Sequence, residues 1–420
     1  MRTNIREIVI KYRLVVFLAV YVIITKSIFE RFYILFIVDN GVVGGDITYH
    51  FFVAGMRILE GESPYISPFI THPPLMLLLF AALLSVHAEA YTIAISFVII
   101  YLSVPYICYI TAKKYLSEFY SIIATVIISL NPLTLYSCFD YMDDDPLIMI
   151  GLMAVFYLYR ENRTHASIIG AIMGGFKFIP LLVVAFLILV DTDIAMREKA
   201  KLFLIQISVF GSIMLIGYSL WGIDTLTRLL HYSAFVGIEI PSAHPFNIYY
   251  MLVSGASEEI LRIISMLMMI LIFVTIILYI QIFQPKMKRS INFVYILVLL
   301  AIYIGNITNS YMYFIWIVPF ISFELISILQ KRFKNWIMQF SIGTVSVVSL
   351  FLFGFLLSEW EGYTYGYGEE WRIFGAYATI FAYVVVIIIA MIAFLKMHLY
   401  GKRRECVPKK ESDVLTEPNR

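Results

Sequence analysis

Three short motifs follow one another in the first tenth to fifth of the chain: Gly45-Asp46-Ile47-Thr48-Tyr49, Gly61-Glu62-Ser63-Pro64-Tyr65 and His72-Pro73-Pro74, set between two very apolar segments. A carboxylate at the end of a membrane-spanning helix, followed by a half-polar helix and a proline-stopped loop, is expensive to keep beside a bilayer unless it does chemistry. Asp46 is therefore the first catalytic candidate, and Tyr65 and His72 share its loop. The plainer reading of Asp46 is the end of a span or the cap of a helix beginning near Tyr49.

A second acidic group is the turn Asp140-Tyr141-Met142-Asp143-Asp144-Asp145, directly ahead of Pro146. Asp143, Asp144 and Asp145 are candidates for binding a polar ligand or a divalent cation such as Mg or Mn, because hard cations prefer carboxylate oxygens. The structural alternative is a solvated turn in which Asp145 caps the helix that Pro146 opens. Lys177 stands inside a long apolar stretch, flanked by Gly175, Phe176 and Phe178. It cannot stay charged in lipid, so it must face water, a carboxylate or a ligand phosphate. Arg57 and Arg228 can fork onto a phosphate or snorkel at the headgroups. His72, His231 and His244 can bind acceptor or phosphate, or be ordinary loop histidines. The aromatic loop from Trp360 to Trp371 suits a sugar face and suits an interfacial belt equally well.

The elements that must hold these residues are transmembrane. Of 420 residues 61% are hydrophobic and 14% charged, and the apolar runs have the length that helices need to cross roughly 30 Å of hydrocarbon. The net charge of +2 gives no reason to expect nucleic acid, since the basic residues lie in short clusters between apolar runs. Read with the positive-inside rule, these clusters (Arg2 to Arg13, Lys113 and Lys114, Arg160 and Arg163, Arg197 to Lys201, Lys286 to Arg289, Lys331 to Lys334, Lys402 to Arg404) place both termini in the cytoplasm. The first apolar run is expected to remain as an anchor. Cys108, Cys138 and Cys406 form no disulfide or zinc pattern.

That path requires two apolar stretches not to cross. Residues 73–86 begin with a double proline and are short, which predicts a re-entrant or half helix. Residues 166–190, interrupted at Gly174-Gly175-Phe176-Lys177-Phe178-Ile179-Pro180, predict a helical hairpin. Full crossings are expected near 14–38, 90–112, 119–138, 146–159, 202–221, 260–283, 291–305, 311–330, 336–357 and 373–396. The fold class is thus an all-α polytopic bundle of about ten spans, with one domain over 1–400 and a charged, disordered tail over 401–420. Broken helices are tolerated at membrane depth where protein or water satisfies the freed backbone, so a buried polar cavity is expected at the two breaks.

The motifs Asp46-Ile47-Thr48-Tyr49, Gly61-Glu62-Ser63-Pro64-Tyr65 and Pro73-Pro74-Leu75 together resemble the first outer loop of the GT-C superfamily of integral-membrane glycosyltransferases. More narrowly, they look like the first mannosyltransferase of GPI-anchor assembly and its prokaryotic polyprenyl-phosphate-mannose-dependent relatives. The likeness continues through Leu130-Asn131-Pro132-Leu133, Asp144, Lys177-Phe178-Ile179-Pro180 and Tyr313-Phe314-Ile315-Trp316 with Pro319. It implies transfer of a hexose, mannose first, from a polyprenyl or dolichyl phosphate to a glycan, lipid or protein hydroxyl on the exoplasmic face. It also implies the first-loop aspartate, Asp46, as general base, and placement in the plasma membrane of a prokaryote or the endoplasmic reticulum of a eukaryote. An inverting transfer does need a carboxylate to take the acceptor proton while phosphate leaves from the opposite face. Lys177, Arg57 and Arg228 would then meet the donor phosphate, where negative charge develops. The family's first-loop motif often reads Asp-x-Asp, and here Thr48 holds the second position, so a metal would have to draw on the acidic turn instead.

Three other classes fit parts of the sequence. A lipid-linked-glycan flippase or secondary transporter would carry broken helices and midplane charges but needs no long acidic first loop. An envelope glycan polymerase or ligase is expected to keep its large functional loop in the C-terminal half. A non-catalytic membrane subunit would follow if Thr48 marks a decayed site.

Overall fold

A computed structural model describes residues 5–33, 47–67, 70, 72–140, 144–191, 193–227, 267, 270, 271, 274, 295–299 and 315–332. Every element among them is helical. Leu, Ile, Val and Phe dominate these runs, and in hydrocarbon a helix satisfies all of its own backbone groups. Small hydroxyl residues fit the same rule: Ser121 and Thr125 donate to the carbonyls of Ser117 and Ser121, and Ser322 to that of Val318. Bonded back in this way, they can be buried between helices.

The chain opens with α1 (Ile5–Lys11) and α2 (Arg13–Tyr33). The expected first span near 14–38 is only partly met. The helix is described as far as Tyr33, residues 34–38 lie outside the described residues, and its second half carries an exposed pair, Lys26 with Glu30 at 3.4 Å. A π-helical turn, Ile47–Phe52, leads into α3 (Val53–Leu59), and α4 (Pro74–Val86) follows. α5 (Ala90–Tyr101) and α6 (Val104–Lys113) continue one another as a 24-residue apolar run. Pro105, which has no N–H to donate, accounts for the irregularity between them.

α7 (Glu118–Ser129) ends at Leu130-Asn131-Pro132, where the Asn131 side chain accepts from Leu133 N–H and restarts the chain as α8 (Pro132–Leu135). The two directions differ by 56°. Then come α9 (Asp145–Tyr159), α10 (Arg163–Gly174), α11 (Ile179–Val190), α12 (Met196–Trp221) and α13 (Val318–Arg332).

Among the described residues two helical runs are long and apolar enough to cross a membrane, Ala90–Lys113 and Met196–Trp221, and the bent pair from Glu118 to Cys138 would be a third. The short helix expected at 73–86 is α4, with 13 residues. The hairpin expected at 166–190 is α10 against α11, with 12 residues each. The expected spans near 260–283, 291–305, 336–357 and 373–396 lie wholly or largely outside the described residues, as does the tail.

Charges gather at one end of this bundle. Glu118 takes Arg13 at 3.1 Å and Lys113 at 3.0 Å, and also the Tyr109 hydroxyl. Lys114 pairs with Glu161, Arg163 with Asp191 at 3.1 Å, and Gln330 accepts from Ser117 N–H. One layer therefore ties the starts of α2, α7 and α10 to the ends of α6, α9, α11 and α13. From that layer α9 runs about 21 Å to the carboxylates at its other end.

Candidate functional site

The first loop is built by local rules. Gly61, at φ +80°, stops α3 in a conformation that side chains other than glycine resist. Gly61 N–H donates to Ile58 and Glu62 N–H to Arg57, the crossed pair of bonds that closes a helix C-terminus. Ser63 caps the next turn, Pro64–Ile66, by accepting from Tyr65 N–H, and Pro64 starts it. Tyr65 is thereby turned inward against the edge of Trp221, and its hydroxyl donates to the His72 carbonyl at 2.9 Å. Tyr65 thus holds His72 in position.

The two breaks that the sequence marks meet each other. α4 starts at Pro74 with free N–H groups, and those of Leu75 and Met76 donate to the carbonyl of Gly175 at 3.0 and 3.4 Å, in the break between α10 and α11. The approach is close: a Cβ on Gly175 would lie 2.7 Å from Leu75 and 3.0 Å from the Ile172 carbonyl. Two residues beyond Gly175 the chain presents Lys177.

The third element is the start of α9. A π-helical turn, Tyr136–Asp140, brings the chain out of the Asn131-Pro132 bend toward it. Such turns recur at functional sites, and one precedes each acidic candidate or follows it: Ile47–Phe52 comes directly after Asp46. Asp144 stands at the cap position of α9, but its side chain makes no capping bond, and Asp145 is the first helical residue. Both carboxylates turn to Lys177 instead. Its ammonium lies 2.6 Å from Asp145 Oδ1 and 3.2 Å from Asp144 Oδ1, and 5.3 Å from the centre of the Trp316 ring. Asp145 is 0% exposed, Asp144 2% and Lys177 4%.

His72 completes the cluster. Its Nε2 lies 3.8 Å from Asp144 Oδ2, with the Phe51 ring edge-on at 5.3 Å. Burial pushes the imidazole down to about 4, against the pull of Asp144 and aided by Lys177 and His50. His72 is thus a neutral ring beside a carboxylate at neutral pH, not an ionic partner.

Of the residues expected from the sequence, Tyr65, His72, Asp144, Asp145 and Lys177 are brought together. Arg57 lies on α3, which packs on α4. Its Nη1 is buried without a hydrogen-bond partner among the described residues. Asp46, Asp143, Arg228, His231 and His244 lie outside the described residues. The solvated-turn alternative fails for Asp144 and Asp145, and so does the cap at Asp145: a buried cation pulls both carboxylates inward. Of the partners open to Lys177, the structure selects carboxylates.

Two residues of the site were not singled out for it. Trp316 stands out in the sequence only as part of the stretch Tyr313-Phe314-Ile315-Trp316, with no role of its own, and His50, whose charge opposes that of His72, has no marker beyond its place four residues after Asp46. The residues present do not fit a divalent cation as they stand. Asp144 and Asp145 each turn an oxygen to the Lys177 ammonium, and no three His, Cys, Asp or Glu side chains converge on a cation position among the described residues.

No protein-family model matches the chain, and no curated protein matches it.

Proposed function

We propose that the chain is a polytopic membrane glycosyltransferase of about ten spans, inverting, which moves a hexose from a polyprenyl or dolichyl phosphate to an acceptor hydroxyl on the exoplasmic face. The reading rests on the order of the motifs and is supported by one observation: segments far apart in sequence, Tyr65 and His72, Asp144 and Asp145, Lys177, and Trp316, form one buried cluster. The charged layer of Arg13, Lys113, Glu118, Glu161, Arg163 and Asp191 is taken as cytoplasmic, which puts the cluster toward the opposite face. The donor would enter sideways from the bilayer, and the acceptor from outside.

In the reaction the Asp46 carboxylate takes the proton of the acceptor hydroxyl, and the oxygen attacks C1 of the sugar. The bond from C1 to the phosphate oxygen breaks, and its electron pair leaves on the lipid phosphate. Because Lys177 is engaged by two carboxylates, Arg57 is the better candidate for a phosphate oxygen: a buried guanidinium nitrogen without a partner suits an anion.

The test is transfer of radiolabelled mannose from dolichyl-phosphate-mannose in membranes containing this chain or its Asp46→Ala variant. Transfer by the parent chain that disappears with Asp46→Ala, at equal expression, is expected. Silence with mannose, glucose and arabinose carriers alike would overturn the reading. The buried lysine shared by carboxylates also suits a flippase or transporter, where such clusters carry protons. With donor supplied on one side only, a transporter would move label across without forming a labelled acceptor.

A further inference from the structure

The acidic pair at the start of α9 invites a metal, yet its cation is already present. Asp144 and Asp145 direct one oxygen each at the same point, and that point is held by Lys177 Nζ, 3.2 and 2.6 Å away. The ammonium is not a passing surface partner. It is fixed by the docking of its own backbone, since the Gly175 carbonyl two residues before it takes the N–H groups of Leu75 and Met76. The Trp316 ring shields it at 5.3 Å. Remove the ammonium, and the Oδ1 atoms of Asp144 and Asp145 remain aimed at the position it held. Carboxylate oxygens are donors of the kind that Mn accepts.

We propose that the ammonium of Lys177 is the built-in cation of this site, holding the place between Asp144 and Asp145 that a divalent metal would otherwise take, so that the protein works without added metal. A tethered ammonium supplies positive charge at a constant position and needs no metal supply. It carries one charge where a divalent ion carries two, so it balances the pair only in part. The inference rests on the transferase reading for its activity arm alone.

The experiment uses the full chain in lipid nanodiscs and follows thermal unfolding in EDTA and in millimolar Mn2+, with mannose transfer measured in parallel. The unmodified chain is expected to unfold at the same midpoint in both and to keep its transfer activity in EDTA. Lys177→Ala is expected to unfold earlier in EDTA and to gain about 3 °C with Mn2+, as a site that binds only the folded state should. That gain should vanish in Lys177→Ala combined with Asp145→Asn. A Lys177→Ala protein indifferent to Mn2+ would overturn the proposal. So would an unmodified chain whose midpoint falls in EDTA and returns with Mn2+. If Lys177→Ala does not accumulate, Lys177→Gln is read in the same way; if neither does, the unmodified chain in EDTA decides. Absence of transfer under every condition would count against the transferase reading and leave the unfolding midpoints to decide this one.

Discussion

Replacing Lys177 by Met removes the charge and keeps most of the volume, so its cost isolates the electrostatics of the cluster. At an effective dielectric of about 20, a unit charge 2.6 Å from one carboxylate and 3.2 Å from another gains roughly 6 and 5 kcal/mol. Several kcal/mol of desolvation per ion offset this, so the intact cluster adds little net stability. Removing only the cation is different, because the desolvation of Asp144 and Asp145 stays and their mutual repulsion is unmasked. Breaking a buried pair in this way costs about 3–5 kcal/mol. The charge-balanced double variant, Lys177→Met with Asp145→Asn, should recover about 1–3 kcal/mol of that loss, the usual coupling between residues in contact. The assay is thermal unfolding of the two single variants, the double variant and the unmodified chain, each in the same lipid. A Lys177→Met cost below about 1 kcal/mol, or a double variant as damaged as the sum of the singles, would refute the placement of a charged Lys177 between two charged carboxylates.

Three further outcomes follow from the same geometry. His72 titrates near 6.5 when unfolded and at about 4 when folded, so between those values the unfolded chain takes a proton that the folded one refuses. Stability should then fall by up to about 3 kcal/mol as pH drops from 6.5 toward 4, and His72→Phe should flatten that part of the midpoint-against-pH curve. Tyr65→Phe deletes the bond to the His72 carbonyl and should cost about 1 kcal/mol; an unchanged midpoint would mean that the hydroxyl does not hold that loop. Gly61→Ala should cost about 1 kcal/mol from backbone strain alone, since nothing lies within 4 Å of the added Cβ, whereas Gly175→Ala, which drives a Cβ to 2.7 Å from Leu75, should cost more. Equal midpoints for the two glycine variants would contradict the close docking of α4.

The breaks were legible because punctuation residues mark them. Pro73-Pro74 and the Gly174-to-Pro180 stretch say where helices stop, and α4, α10 and α11 begin and end there. That these breaks touch was not legible, since their contact runs through the Gly175 carbonyl, a backbone atom that every residue carries. Asp144 and Asp145 next to Pro146 read as a water-facing helix start because the residue that buries them is Lys177, more than thirty positions away. For Lys177 the sequence narrows the partner to three kinds, and only the fold selects one. Trp316 entered only within the stretch Tyr313-Phe314-Ile315-Trp316, and in a chain with 33 Phe and 30 Tyr nothing marked its ring as the one that faces Lys177. Of the first span, the described part, Arg13–Tyr33, is helical and carries the exposed Lys26 and Glu30 pair.

Helix ends explain why so much charge can be buried here. Asp144 and Asp145 occupy the N-terminus of α9, where unsatisfied N–H groups favour negative charge. Lys177 follows the C-terminus of α10 by three residues, on the side where carbonyls favour positive charge. The start of α4, which has no side-chain cap, has the N–H groups of Leu75 and Met76 taken by Gly175. Each carboxylate therefore meets a complementary helix end as well as an opposite charge, Lys177 stands between the end of α10 that favours it and the start of α11 that does not, and the cluster is held by three elements at once. A ligand anion entering here must draw Lys177 away from a carboxylate that its own helix end also favours, which makes the exchange unfavourable. Arg57, on the separate helix α3 and with a buried nitrogen still to satisfy, meets an anion without that competition. Lys177 thus balances the acidic pair, and on the proposed transferase reading the donor phosphate falls to Arg57 instead.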